Sequence, residues 1–308
     1  MAGDLARLWW TGWHWHPEQL IAVALLLQSY FLGVGYFRVR YHWADRVDRR
    51  QTAFFLLGVA VIALALATPL HEISEQSFSG HMTQHMLLTL VAPPLLLLGL
   101  PDWLLSPVLR YALLVPPLHF FRASTPILRL VVRHAPLLKA ARFLTQPAVA
   151  GFLFIGTFSV WHVPSLYEGA LQSETLHMVE HSLMLFTGIL VWWPVLSPSS
   201  DLPRPPIGVQ VIYLFLVAIG TTPLFAVLTF STVAIYPWYA ATAGLDSLGD
   251  QQLGGIIMKI PYTFVFLGVL LVIFLKWYNR EEADSEYEDE EEDDESPYYP
   301  PRVSGEPA

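Results

Sequence analysis

The run HMTQHMLLTLVAPPLLLLGL, His81 to Leu100, decides the fold. It contains no Lys, Arg, Asp or Glu, and as a helix rising about 1.5 Å per residue it is long enough to cross a hydrocarbon core of about 30 Å. Two histidines stand four residues apart at its start. Working outward, comparable apolar runs occupy residues 20–37, 52–70, 148–163, 176–196, 207–230 and 253–277, the one at 148–163 being the shortest. Inside a bilayer every backbone N–H and C=O needs a partner within its own segment, which makes such runs spanning helices. The sequence therefore predicts an all-α polytopic membrane bundle with seven transmembrane helices. Composition agrees, with 54% hydrophobic and 14% charged residues among 308 and a mean hydropathy of +0.45. The first run has no charged start or small-residue cleavage site ahead of it, so it is expected to be retained rather than removed as a signal peptide.

Lys and Arg set the orientation, because basic connections stay cytoplasmic. Arg38, Arg40, Arg46, Arg49 and Arg50 follow the first run; Arg110, Arg122, Arg129, Arg133, Lys139 and Arg142 follow the third; Arg204, Lys276, Arg280 and Arg302 fall on the same face. Only Arg7 lies opposite, and Lys259 lies within the seventh run. The N-terminus is thus expected outside and the C-terminus in the cytoplasm. Residues 104–121 look apolar enough for an eighth span, but Arg110, Pro107, Pro116 and Pro117 interrupt them. A basic amphipathic segment over 103–146, lying on the inner leaflet of the lipid bilayer, fits better.

The formal charge of −9 belongs to the end of the chain. Residues 281–308 hold 13 acids and one base, a net −12, which leaves +3 on residues 1–280. The organisation expected is a membrane domain, 1–280, and a disordered acidic cytoplasmic tail, 281–308, with too little apolar area to offset its ordering entropy. No basic domain or stripe outside the membrane suggests nucleic-acid binding. Zero cysteines exclude disulfides, thiolate metal sites and cysteine nucleophiles, leaving His, Met, Asp and Glu as metal ligands.

By this topology eight of the 11 histidines face outward: His14, His16, His71, His81, His85, His162, His177 and His181. One histidine at a membrane interface is ordinary. Two pairs are more specific. His81-Met-Thr-Gln-His85 and His177-Met-Val-Glu-His181 place two imidazoles on one helix face about 6 Å apart along the axis. Both pairs open a span running from outside to inside, so His81–Leu98 and His177–Pro194 read as a weak internal repeat. Glu180 and Met184 share the face of His177 and His181, whereas Met82 and Met178 are turned about 100° from the first His of each pair. Met184 is the favoured sulfur ligand. Imidazole suits Zn, Cu, Fe and Ni, and a thioether adds preference for Cu(I). The alternative is interface polarity with hydrogen bonding between helices. Lys259 is expected either to snorkel outward or to pair with Glu180. Asp250-Gln-Gln-Leu-Gly-Gly255 reads first as a helix start with a small-residue packing face, and second as a source of one more metal ligand.

These residues resemble a known family, the multi-span CtaG-type cytochrome c oxidase assembly factors, which are distinct from the single-span copper donor sharing that name. The likeness rests on His81-Met-Thr-Gln-His85-Met with Val91-Ala-Pro-Pro94 and Gly99-Leu-Pro101, Trp161-His-Val-Pro164 with Tyr167, His177-Met-Val-Glu-His181 with Trp192-Trp-Pro194, and Asp250-Gln-Gln-Leu-Gly-Gly255. It covers roughly residues 50–277 in order. The resemblance implies a multi-pass protein of the bacterial plasma (inner) membrane, needed to assemble a haem–copper oxidase and handling copper for it. His81, His85, His162, His177 and His181 carry over as candidate functional positions; Lys259 departs from the aromatic expected there.

The leading expectation is a non-enzymatic copper-handling assembly factor. Cu(I) from an extracytoplasmic donor would be held by His81, His85, His177 and His181, completed by His162 or Met184, and presented to the oxidase catalytic subunit. Pro93, Pro94 and Pro261 are candidate helix-distorting positions. A second reading is an intramembrane zinc metallohydrolase, since His177-Met-Val-Glu-His181 matches H-x-x-E-H, with Glu180 as base. A b-type cytochrome needs one axial His from each of two helices rather than two per helix. A metal-free assembly scaffold is the remaining alternative.

Overall fold

The apolar runs fold as helices wherever proline and caps allow them to continue. The computed structural model describes residues 9–10, 17–44, 46–111, 136–243 and 246–294, and among these there is no strand. They divide into two compact units, Met1–Phe264 and Val265–Ala308.

In the first unit the elements are α1 (Pro17–Phe31), continued by a π-helical stretch Leu32–Phe37 and α2 (Arg38–Tyr41); α3 (Arg49–Leu66); α4 (Leu70–Gln76); α5 (Phe78–Met86), continued by a π-helical stretch Leu87–Val91 and α6 (Ala92–Gly99); α7 (Asp102–Tyr111); α8 (Pro136–Leu144); α9 (Pro147–Trp161); α10 (Pro164–Gln172); α11 (Glu174–Leu196); α12 (Ile207–Phe230); and α13 (Trp238–Ala243). The last helix, α14, runs Ser247–Asp294, and its part beyond Phe264 makes up the described portion of the second unit.

Six of these helical stretches are long and apolar enough to cross a membrane: 17–41, 49–66, 78–99, 174–196, 207–230 and 247–282. A seventh exists only if Leu137–Leu144 and Pro147–Trp161, bent by 73° at their junction, count as one span. The reason lies at both ends of α9. Gln146 is extended ahead of Pro147 (ψ 135°), and Val163 is extended ahead of Pro164 (ψ 126°), because a residue before proline is pushed out of the α region. That leaves α9 only 15 residues. The run expected over 52–70 likewise stops at Leu66, short of Pro69.

Of the amphipathic segment expected over 103–146, α7 and α8 are seen, and residues 112–135 lie outside the described residues. The acidic stretch departs from expectation: α14 continues through Glu281 to Asp294 rather than ending there. Glutamate is a good helix former, and neither Gly nor Pro interrupts the sequence between Gly268 and Pro297. Residues 295–308 lie outside the described residues.

Two features of α5 and its continuation orient the site. The carbonyl of Thr89 would accept from residue 93 in an α-helix and from residue 94 in a π-helix, and both are proline. The Trp192 indole N–H of α11 donates to that carbonyl instead, at 3.0 Å. At the same level Gly188 of α11 lies against Thr89 and Pro93: a Cβ built there would sit 3.0 Å from the Thr89 Cα. The two histidine-bearing helices therefore touch backbone to backbone one turn below His85 and two turns below His181.

Candidate metal centre

Both histidine pairs are set by the same local device. Ser77 is the N-cap of α5 and accepts from the Gly80 N–H at 3.0 Å; Ser173 is the N-cap of α11 and accepts from the Leu176 N–H at 3.4 Å. His81 N–H then bonds the Ser77 carbonyl, and His177 N–H the Ser173 carbonyl, at 3.0 and 2.9 Å. Each pair thus begins four residues after its cap, on the first complete turn. The repeat noticed in the sequence extends back to these serines, a signal available there but not used.

The start of α5 is itself held from α14. The Asp250 carboxylate accepts from the Phe78 N–H at 2.6 Å, the Ser79 hydroxyl at 2.5 Å and the Ser77 hydroxyl at 3.2 Å. A carboxylate at a helix N-terminus satisfies orphan donors and complements the positive end of the macrodipole. Asp250 lies in the first turn of its own helix, as the sequence suggests, but its carboxylate caps the neighbouring α5, a role the sequence reading did not include. Gly254, one turn on, lies against the Phe78 ring, where a Cβ would overlap it. Gln251 accepts from the Ile235 N–H at 2.6 Å, and Gln252 donates to the Ser231 carbonyl at 3.0 Å. The Asp-Gln-Gln-Leu-Gly-Gly segment is thereby a packing and capping motif.

Within this frame the four imidazoles converge. Ring centroids lie 5.2 Å apart for His81 and His177, 5.4 Å for His85 and His181, 4.4 Å for His81 and His85, and 4.2 Å for His177 and His181. His81, His85 and Glu180 are fully buried, and His177 and His181 are 5% and 6% exposed. Glu180 Oε1 lies 3.4 Å from His85 Nε2 and 3.7 Å from His81 Nε2. Among the described residues, ligand atoms of His81, His177 and His181 lie within 4.8 Å of one another, and so do those of His81, His85 and Glu180.

Hydrogen bonding leaves this cluster incomplete. His81 Nδ1, His85 Nδ1, His177 Nε2, His181 Nε2 and both Glu180 oxygens are buried without a hydrogen-bond partner. Buried polar atoms are ordinarily paired, and each orphan costs about 1–3 kcal/mol. Orphans gathered at one locus suit a set of metal ligands, since a cation accepts one lone pair from each imidazole it binds and one or two from a carboxylate. The Nε2 atoms of His81 and His85 approach to 2.8 Å, so a proton or a cation must lie between their lone pairs.

His162, at the end of α9, joins the cluster with its centroid 6.0 Å from that of His85. Its Nδ1–H donates to the Phe158 carbonyl at 2.6 Å, which in the neutral ring directs the Nε2 lone pair at the Met82 sulfur, 3.3 Å away. Imidazole nitrogen and thioether sulfur are the donors a soft ion takes. Met184 is buried in α11, one turn beyond Glu180. The thioether set against a site histidine is that of Met82, whose direction the spacing argument had disfavoured.

Sequence reasoning left His71 and Glu75 of α4 outside the site, yet His71 stacks on His177 at 5.4 Å, and His71, Glu75 and His177 bring ligand atoms within 4.8 Å of one another. Their i, i+4 spacing was the available signal. The two central residues of the repeat also diverge: Gln84 donates to the Ala65 carbonyl at 2.7 Å and faces His71, while Glu180 turns to the opposite histidine pair. Lys259 donates to Thr222 at 2.9 Å with its amine 5.7 Å from the Phe225 ring centre, so its partner is on α12 and not Glu180. His14, His16, His119 and His134 lie outside the described residues.

Three proteins described as uncharacterized are similar to this chain. Those of Mycobacterium bovis and Mycobacterium tuberculosis are each 23% identical over 90% of it and 42% of their own length. That of Mycobacterium leprae is 22% identical over 90% of the chain and 43% of its own length. The chain thus spans less than half of these relatives. No solved structure matches it. The family model described as cytochrome c oxidase caa3 assembly factor matches residues 28–280, and the chain, with its apolar helices and paired histidines, belongs to that family.

Proposed function

We propose that the chain handles copper for oxidase assembly: it takes up Cu(I) from an extracytoplasmic donor and presents it to the catalytic subunit of a haem–copper oxidase. The observation that carries this reading is the convergence of four imidazoles and one carboxylate with six unpartnered buried polar atoms at the mouths of two membrane helices. His81, His85, His177 and His181 supply the ligands, with Glu180 beside them, and His162 with Met82 or Met184 adds a soft donor. A thioether sulfur near an imidazole favours Cu(I) over zinc. No substrate bond is made or broken, so the role is that of a carrier.

The basic connections favour a plasma-membrane placement with the N-terminus outside, the histidine mouths outward and the C-terminus cytoplasmic. A labile site must release as well as bind, and the π-helical stretch after His85 with Pro93 and Pro94 supplies a locally distorted helix for that. The test is a host lacking the native gene, supplied with His81→Ala, His181→Ala, or all four histidines replaced. The single variants are expected to insert normally while the oxidase loses its copper and activity. Normal oxidase copper content with the quadruple variant overturns the reading.

A further inference from the structure

We propose that His71, Glu75 and His177 form a loading site for the cargo ion, the first of three ligand triads joined by shared histidines that lead Cu(I) inward to His81, His85 and Glu180. This rests on the copper reading above and adds a path to it. The three groups of potential ligands are His71–Glu75–His177, His81–His177–His181 and His81–His85–Glu180. His177 belongs to the first and second, and His81 to the second and third.

Exposure falls along that order. The Glu75 side chain is 48% exposed, His71, His177 and His181 are almost buried at 5–6%, and His81, His85 and Glu180 are at 0%. The outermost ligands ride on α4, a short helix between the spans, while the innermost lie within two spans. A cavity of about 260 Å³ reaches this region, lined by His71, His177 and His181 together with the acidic Glu18 and Glu174. Carboxylates lining a cleft with low-dielectric walls concentrate cations there.

Shared ligands make the passage one of stepwise exchange. In the first step the bonds from copper to His71 nitrogen and Glu75 oxygen break as bonds to His181 and His81 form, while the bond to His177 persists. In the second, the bonds to His177 and His181 break as those to His85 and Glu180 form, while the bond to His81 persists. Copper remains Cu(I) throughout, and the ion is never without protein ligands. The ligand atoms of each triad lie within 4.8 Å, so side-chain rotation suffices to close each shell around metal–nitrogen bonds of about 2.0–2.1 Å.

The test follows how fast the purified chain in detergent, under anaerobic reducing conditions, withdraws Cu(I) from a coloured Cu(I) chelate. Glu75→Gln and the double variant His71→Gln with Glu75→Gln are expected to slow withdrawal by about tenfold or more, the scale at which peripheral metal-site residues act, with final stoichiometry unchanged. His85→Ala with Glu180→Gln should keep the fast initial phase and lose the tightly held copper. Equal loading rates for wild type and the outer variants overturn the relay and leave the copper reading intact. Loss of the tightly held copper in the outer variants also overturns it, because the triad would then be part of the final site. A wild-type chain that withdraws no copper overturns the function itself. Glu75→Gln keeps size and polarity at a half-exposed position, which separates an effect on loading from one on folding.

Discussion

Replacing Asp250 by alanine should destabilise the chain by about 3 kcal/mol through the start of α5. The carboxylate takes donors from Phe78, Ser77 and Ser79 at 2.5–3.2 Å and is 9% exposed. Part of this can be recovered: the Ser77 and Ser79 hydroxyls are 2.9 Å apart and can bond each other, and Ser77 still caps Gly80. The Phe78 N–H cannot be recovered, because its one acceptor among the described residues is the lost carboxylate. A charge-assisted bond of that kind contributes about 1.5–3 kcal/mol, and the interaction of the charge with the helix N-terminus adds about 0.3–1 kcal/mol. Asp250→Asn keeps an acceptor without the charge and should lose about half as much. The assay is unfolding of the purified chain in mixed detergent, with copper affinity measured on the same samples. A large loss of copper affinity at unchanged stability would refute the capping role and return Asp250 to the metal shell. Asn and Ala variants of equal stability would refute the hydrogen-bonding part, and an Asn variant as stable as wild type would refute the electrostatic part.

Trp192→Phe should cost about 1–3 kcal/mol, since it strips the donor from a Thr89 carbonyl that two prolines have already deprived of helical partners; a stability within experimental error of wild type would refute the assignment. Tyr167, Tyr236 and Tyr239 lie in the connections outside the spans, and burial pushes all three hydroxyls above their ordinary 10.0, with the Tyr167–Tyr239 contact at 2.6 Å among them. A phenol raised in the folded state favours the protonated form, so its contribution is complete below about pH 10 and is lost as pH climbs toward the folded value. The unfolding midpoint should stay flat on this account up to about pH 10 and decline above it, together with the appearance of phenolate absorbance; phenolate from these three tyrosines in the folded protein below that point would refute the burial argument.

The sequence located the long helices well because bilayer length and backbone hydrogen bonding leave little choice. The expected run over 207–230 coincides with α12, and that over 176–196 differs from α11 only in its first turn. Where expectation and structure part, a local residue explains it. Pro147 and Pro164 cut the fourth run to 15 residues, and among the described residues six unbroken helices are long and apolar enough to span, with a seventh as a bent pair. The acidic stretch continues as helix, with neither Gly nor Pro to end it and with glutamate the commonest residue in it. Partners fared differently. Lys259 was expected to snorkel outward or to pair with Glu180, and its amine donates instead to Thr222 of the neighbouring helix. Periodicity turned Met82 away from its own pair of histidines, correctly, but could not reveal that His162 of another helix would meet its sulfur.

What the sequence determined alone is the membrane helix bundle and two histidine pairs, each confined to one helix face, since pitch and hydropathy are properties of a segment. Whether those faces meet is a property of packing. It depends on Gly188 allowing the two backbones to touch, on Asp250 holding the start of α5 from the far end of the chain, and on which side chain fills each gap. The convergence of His81, His85, His177 and His181, the placement of Glu180 between pairs, and the recruitment of His71, Glu75 and Met82 are contacts between residues distant in sequence, so only the tertiary structure could decide them.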